Sequence, residues 1–205
     1  MLFRSVAVAA NFAEVAQDLA DRFGLESKHE IQLSVGSTGK LYAQIVNGAP
    51  FHALLAADDW RPRRLVERGA AVDGSQFTYA LGRLALWSRQ SEPNAPSVRD
   101  QLEGSELRAV AIANPKLAPY GLAAQRALEG LGLWESLRTR IVRAENVGQA
   151  FAMVASGSAE LGFVALSSVL SERNAHPGRR WEVPASLHEP IRQDAVLTRH
   201  GAQSI

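Results

Sequence analysis

Residues 5–57, SVAVAANFAEVAQDLADRFGLESKHEIQLSVGSTGKLYAQIVNGAPFHALLAA, alternate short apolar runs with amphipathic stretches. Ser5–Ala10 reads as a strand. The run after it, over about Phe12–Phe23, sets Phe12, Val15, Ala16, Leu19, Ala20 and Phe23 on one helical face. Ile31–Val35 is a second strand, followed by a helix from about Thr38 to Val46 that stops at Asn47-Gly48. Ala53–Ala57 is a third strand, and Pro62–Arg68 a short helix closed by Gly69. This strand–helix alternation calls for a parallel sheet covered by helices.

Working outward, the grammar changes once and then returns. Phe77–Ser88 reads as one long β-rich segment carrying Tyr79, Leu81, Leu84, Leu86 and Trp87. Residues 89–104 are polar and rich in Pro and Ser, a surface loop or a short helix. Alternation resumes with strand Ala109–Ala113, helix Leu122–Leu131, strand Arg140–Val142, helix Val147–Ala155, strand Leu161–Ala165 and a helix over about Ser167–Arg173. Ile191, Ala195, Val196 and Leu197 make Pro190–Thr198 a last strand. No repeat aligns residue by residue, yet both halves share one order. The fold class expected is α/β, with two Rossmann-like lobes joined by extended crossovers.

Bulk properties narrow the function. With 205 residues, 46% of them hydrophobic and 21% charged, the chain has the makings of a soluble globular protein with a real core. A net charge of +1 gives no polyanion-sized basic surface, which weighs against nucleic acid as a partner. The pairs Arg63-Arg64 and Arg179-Arg180 read as solvated faces. Cysteine is absent, which excludes disulfides, thiolate metal sites and cysteine nucleophiles. No apolar run approaches the roughly 20 residues of a membrane span. Val6–Ala10 is too short for a signal-peptide core, so the signal of an exported chain is expected to lie outside this sequence.

The residues with chemical content sit where helices begin. Asn11 precedes the first helix with Glu14 three residues on, the spacing of a capping box. Gly36-Ser37-Thr38-Gly39 opens the second helix, and Asn114-Pro115 through Pro119-Tyr120-Gly121 opens another. Asn146-Val147-Gly148-Gln149 opens a fourth, again with capping-box spacing. Capping is the commoner role for any one such junction, because Ser, Thr and Asn satisfy orphan N–H groups in any protein. Taken together the junctions say more. In α/β sheets they lie at the carboxyl ends of strands, where ligands bind. Helix N-termini there offer free N–H groups and a positive dipole end, an anion site that needs no cationic side chain. Glycines 36, 39, 121 and 148 are expected to let backbone approach the ligand.

Other motifs fail. Ser34 stands where a P-loop needs its first glycine, and Leu41 follows Lys40 where Ser or Thr is needed. No Gly-x-Ser-x-Gly elbow surrounds Ser37. Histidines 29, 52, 176, 188 and 200 lack metal-ligand spacing and read mostly as surface residues. Asp58-Asp59 reads as a capping or loop pair rather than acid–base machinery. No nucleophile–base pair emerges, so no catalytic residue is assigned and the chain is not expected to be an enzyme.

The blocks AVAANFAEVAQDLADRF (7–23), SVGSTGKLYAQIVNGAPF (34–51), LLAADD (54–59), GSQFTYALGRLALWS (74–88), IANPKLAPYGLAAQRAL (112–128), ENVGQAFAMVASGSAELGFVALS (145–167) and EPIRQDAV (189–196) together resemble the periplasmic molybdate-binding proteins of ABC transporters. The resemblance runs through most of the chain. It implies a type II periplasmic binding protein fold, with a hinge of two crossovers. Lobe I would hold 1–80 plus 189–205 and lobe II 81–188, with the ligand cleft between them. Carried over by position, Ala10, Asn11, Ser37 and Thr38 would contact the anion from one lobe. Tyr120 and Val147, the latter through its backbone N–H, would do so from the other. The metal would arrive only inside a molybdate or tungstate oxyanion, with no side chain ligating it directly and no cofactor.

The resemblance also implies a membrane permease as partner, a periplasmic location and a monomer. Its departures are specific. Ala10 replaces a hydroxyl residue, so one side-chain hydrogen bond is expected to be missing. His52 stands where Asp is usual, and Leu187-His188 where a Tyr is expected. Relatives are expected to continue with another helix beyond Ile205. Open alternatives are the same fold serving sulfate, phosphate or a small carboxylate, or a repurposed, degenerate member.

Overall fold

Parallel strands need a crossover between them, and the amphipathic stretches supply it. In the computed structural model, residues 2–27, 29–91 and 96–203 are described; residues 92–95 of the polar stretch and the end at Ile205 lie outside them. Chain order is β1 (Leu2–Ala9), α1 (Ala13–Ser27), β2 (His29–Gly36), α2 (Thr38–Val46), β3 (Ala53–Leu55), α3 (Trp60–Glu67) and β4 (Phe77–Gly82). It continues through β5 (Leu84–Ser88), α4 (Val98–Glu103), β6 (Val110–Ala113), α5 (Pro119–Gly130), α6 (Trp134–Leu137), β7 (Ile141–Ala144) and α7 (Val147–Ala155). It closes with β8 (Leu161–Ala165), α8 (Leu166–Leu170), β9 (Arg179–Glu182), β10 (Ile191–Leu197) and α9 (Arg199–Ala202).

The chain divides into two units. One comprises Met1–Leu81 with Arg192–Ile205, the other Gly82–Ile191, so the chain passes between them twice. Each has a five-stranded sheet, ordered β2-β1-β3-β10-β4 in the first and β7-β6-β8-β5-β9 in the second. In the first sheet β1 pairs in parallel with β2 and β3, while β10 runs antiparallel to β3. In the second, β6 pairs in parallel with β7 and β8, and β5 runs antiparallel to β8 and β9. The α/β class expected from the sequence is the one observed, in mixed rather than purely parallel sheets. The long β-rich segment is two strands, because the chain breaks at Arg83 and enters the second sheet.

Leu41 and Ile45 of α2, Leu54 of β3, Leu65 of α3 and Val196 of β10 belong to the core of the first unit. Trp87, Ala111, Val154 and Val164 belong to that of the second, where Trp87 stacks on Phe151 at 4.6 Å between ring centres. A fully buried side chain of this kind contributes roughly 1.5–3 kcal/mol.

The expected apolar face of α1 is buried only in part. Its small residues Ala16 and Ala20 meet the sheet, whereas Val15, Leu19 and Phe23 are 46%, 53% and 48% exposed. The alanines admit close approach of helix to sheet, and the larger side chains stand beside that contact. Together with Val6, Val8, Leu33 and Leu55, Leu19 and Phe23 line an open apolar groove of about 450 Å³.

Candidate oxyanion-binding site

Register decides which junctions meet. In the first unit Ala9 of β1 pairs with Gly36 of β2. The turn after β1 and the start of α2 therefore leave the same sheet edge side by side. Ala10, Asn11 and Phe12 form a single 3-10 turn before α1, so Ala10 is a turn residue rather than the end of the strand. Asn11 does not cap α1 as its spacing suggested. Its Nδ2 donates instead to Oε1 of Gln193 on β10 at 2.9 Å. Phe12 packs against Tyr79 with ring centres 4.8 Å apart, and the Tyr79 hydroxyl donates to the Ala56 carbonyl at 2.9 Å. The turn is thus held by two neighbouring strands, β4 and β10.

Ser37 occupies the N-cap of α2 with extended backbone, yet its hydroxyl makes no capping bond. The residue is 2% exposed and its Oγ has no hydrogen-bond partner among the described residues. A buried unpaired hydroxyl costs roughly 1–3 kcal/mol, so such a group calls for an explanation. Thr38, 1% exposed, accepts the Ala57 N–H on Oγ1 at 3.0 Å. That bond ties the start of α2 to the end of β3 and leaves the hydroxyl hydrogen to donate. Helix geometry leaves the N–H groups of Thr38 and Gly39 without an intrahelical acceptor.

In the second unit Ala113 of β6 pairs with Ala144 of β7, which again places two junctions together. Asn114 organises the first: its Oδ1 accepts the Lys116 N–H at 3.0 Å, and its carbonyl accepts those of Leu117 and Ala118 at 3.0 and 2.9 Å. Pro119 then starts α5 at the position where a missing N–H is harmless. Tyr120 is buried at 3% exposure. A Cβ at Gly121 would lie 2.2 Å from the Ala113 carbonyl oxygen, so this glycine lets α5 press on β6; close approach to a ligand is not its reason. Asn146 caps α7 by accepting the Gln149 N–H at 2.9 Å, while Oε1 of Gln149 accepts the Glu145 N–H at 2.6 Å. This is the reciprocal pattern that the spacing announced, shifted by one residue on the return bond. With Asn146 committed to Gln149, the N–H groups of Val147 and Gly148 have no intrahelical partner.

The buried charged groups of the first unit, Asp58, Arg61 and Asp194, are committed to structure. Asp58 and Arg61 form a buried ion pair, and Asp58 Oδ1 also accepts the Arg61 N–H at 3.1 Å. Burial raises the Asp58 pKa, and the Arg61 guanidinium opposes that shift. Asp194 accepts from Gln76 Nε2 at 2.6 Å and from Thr78 Oγ1 at 2.7 Å. His52 accepts the Ser5 N–H on Nδ1 at 3.0 Å, which pins the turn before β3 to β1. The Asp58 arrangement agrees with the capping role read from the sequence.

The structure therefore groups Ala10, Asn11, Ser37 and Thr38 in one unit and Tyr120 and Val147 in the other. Gln193, the partner of Asn11, lies in the 189–196 block, where a lone Gln in a strand carries no periodic or motif signal of that bond. What the two groups share is neutral donor chemistry, hydroxyls and helix-start N–H groups, suited to holding an anion and not to moving protons.

Comparison with known proteins points the same way. The family model described as bacterial extracellular solute-binding protein matches residues 5–204. The molybdate-binding protein ModA of Azotobacter vinelandii is 47% identical over 199 residues, 96% of this chain and 77% of that protein. Its namesake in Rhodobacter capsulatus is 43% identical over 197 residues, 96% of this chain and 76% of that protein. The structure of the Azotobacter vinelandii periplasmic molybdate-binding protein superposes with a TM-score of 0.90 at 42% identity, covering 98% of this chain and 90% of that one. With its two five-stranded sheets and its residues matched almost end to end, the chain belongs to the bacterial extracellular solute-binding protein family.

Proposed function

We propose that this chain is the substrate-binding protein of an ABC uptake system, working in the periplasm and delivering molybdate to a membrane permease. Tungstate, an oxyanion of the same charge and shape, is proposed as an equivalent ligand. Support comes from two relatives above 40% identity that are named for molybdate binding. The observation that carries the reading is the Ser37 hydroxyl, buried at the start of α2 without a partner among the described residues. An oxyanion oxygen is the acceptor that would satisfy it, beside the N–H groups of the same helix start.

In this reading the donors to the dianion are Asn11, Ser37 and Thr38 of the first unit and Tyr120 and the Val147 N–H of the second. Ala10 contributes no hydroxyl, so its share falls to backbone and to Asn11. All of these donors are neutral. They fix geometry without offering an acidic proton, and the ligand stays a dianion. Each hydrogen bond to a charged acceptor is worth roughly 1.5–3 kcal/mol, so several offset desolvation and reach about micromolar affinity or better. Discrimination against smaller sulfate rests on its failure to meet all the donors at once.

Combining Ser37→Ala with Tyr120→Phe tests the assignment. The double variant is expected to lose at least about tenfold in molybdate affinity by calorimetry, with its circular dichroism unchanged. Titration curves matching the unmutated chain would remove these residues from the site.

A further inference from the structure

We infer that Gln193 is a positioning residue that sets which end of the Asn11 amide meets the bound anion, an inference that rests on the oxyanion-binding reading above. An asparagine amide is a donor at Nδ2 and an acceptor at Oδ1, and a half-turn of its last torsion exchanges the two. Facing a dianion the two orientations differ in sign: the N–H attracts and the carbonyl oxygen repels. Something has to choose between them. Oε1 of Gln193 can only accept, and it lies 2.9 Å from Asn11 Nδ2. That pairing holds Nδ2 as the donor, leaves its second N–H for another acceptor and keeps Oδ1 on the opposite edge of the amide.

The device depends on Gln193 being held in place, and its burial and its anchored strand favour that. It is 3% exposed on β10. The next residue, Asp194, is held by Gln76 and Thr78 through its carboxylate, and its carbonyl accepts the Ala56 N–H at 2.9 Å. The turn carrying Asn11 is anchored independently by Phe12 on Tyr79. The strand that carries Gln193 and the turn that carries Asn11 are therefore each anchored apart from the bond between them, which favours the preorganisation that donors need to face a charged acceptor. Ala10 sharpens the consequence. With a methyl at position 10 and a phenyl ring at 12, Asn11 supplies the one polar side chain of this turn.

A double-mutant cycle on the purified full chain, titrated with molybdate by calorimetry, tests the inference. Gln193→Met removes the acceptor at similar length, and Gln193→Asn withdraws the amide while keeping the strand polar. Each is expected to weaken molybdate binding about three- to tenfold, and the loss should vanish in the Asn11→Ala background, where the double variant matches Asn11→Ala within about twofold. A merely structural role for Gln193 would instead lower the unfolding midpoint and multiply with Asn11→Ala. Binding at the unmutated affinity in both Gln193 variants, or losses that multiply, overturns the inference while the oxyanion reading stands. No molybdate binding by the unmutated chain overturns both.

Discussion

Two side chains show how local wiring governs this protein. The Ser37 hydroxyl is placed at a helix start, buried, and has no partner among the described residues. His52 is the reverse case, a residue whose ring nitrogen is committed to structure. Its Nδ1 accepts the Ser5 N–H, with the His200 ring at 4.9 Å. Burial, above all, holds its pKa below the ordinary 6.5; a backbone hydrogen bond with Ser5 opposes that shift, and His200 and Arg4 add smaller repulsive contributions to it. An unfolded chain therefore binds a proton here at a pH where the folded one does not. The His52 contribution to stability is full above about 6.5 and is lost as pH falls through the lower, folded value. The thermal midpoint is expected to drop between pH 7.5 and pH 5.5, and to drop less in His52→Asn, whose amide oxygen can still accept from Ser5. Equal drops in the two proteins would contradict this account of His52.

At the scale of elements, α1 separates what apolar periodicity reveals from what it does not. The spacing of Val15, Ala16, Leu19, Ala20 and Phe23 announces a helix, and a helix forms over Ala13–Ser27. The same spacing announces burial of the whole face, and only the alanines are buried. Periodicity reports which residues share a face; the neighbouring elements decide how much of that face is covered. Leu19→Ser and Phe23→Ser should each shift urea-unfolding stability by less than about 1 kcal/mol, because little area is returned to water. Leu54→Ala, at a position with 0% exposure, should cost about 2–5 kcal/mol. A Phe23→Ser cost as large as that of Leu54→Ala would mean that the face is covered in solution.

The same limit applied elsewhere. Alternation located β6, α7 and β8 to within a residue or so of their bounds, since each is a clear apolar run closed by polar or glycine residues. It did not reveal β9, whose Arg179-Arg180-Trp181-Glu182 has no apolar alternation and is recruited by pairing with β5. Nor did it reveal the break at Arg83, which the passage from one sheet to the other imposes.

Across the whole molecule, the pattern of strand–helix junctions was legible because the chemistry repeats. In both units two parallel neighbours end in register, and the junctions beyond them carry small, polar or helix-starting residues. What stayed hidden were bonds between residues far apart in sequence. Asn11 with Gln193 spans 182 positions and Thr38 with Ala57 spans 19, and no local spacing encodes either. Capping-box spacing at Asn11 and at Asn146 looks alike, yet only Asn146 caps its helix, because only Asn11 has a buried strand amide within reach. The reading that joins these levels is that neutral donors at helix starts hold a tetrahedral dianion. Calorimetric titration of the purified chain with molybdate, tungstate, sulfate and phosphate tests it most directly. Saturable binding of molybdate and tungstate at about micromolar or tighter, with sulfate and phosphate far weaker, is the result expected. A folded sample that binds none of the four, or prefers sulfate or phosphate, would contradict it.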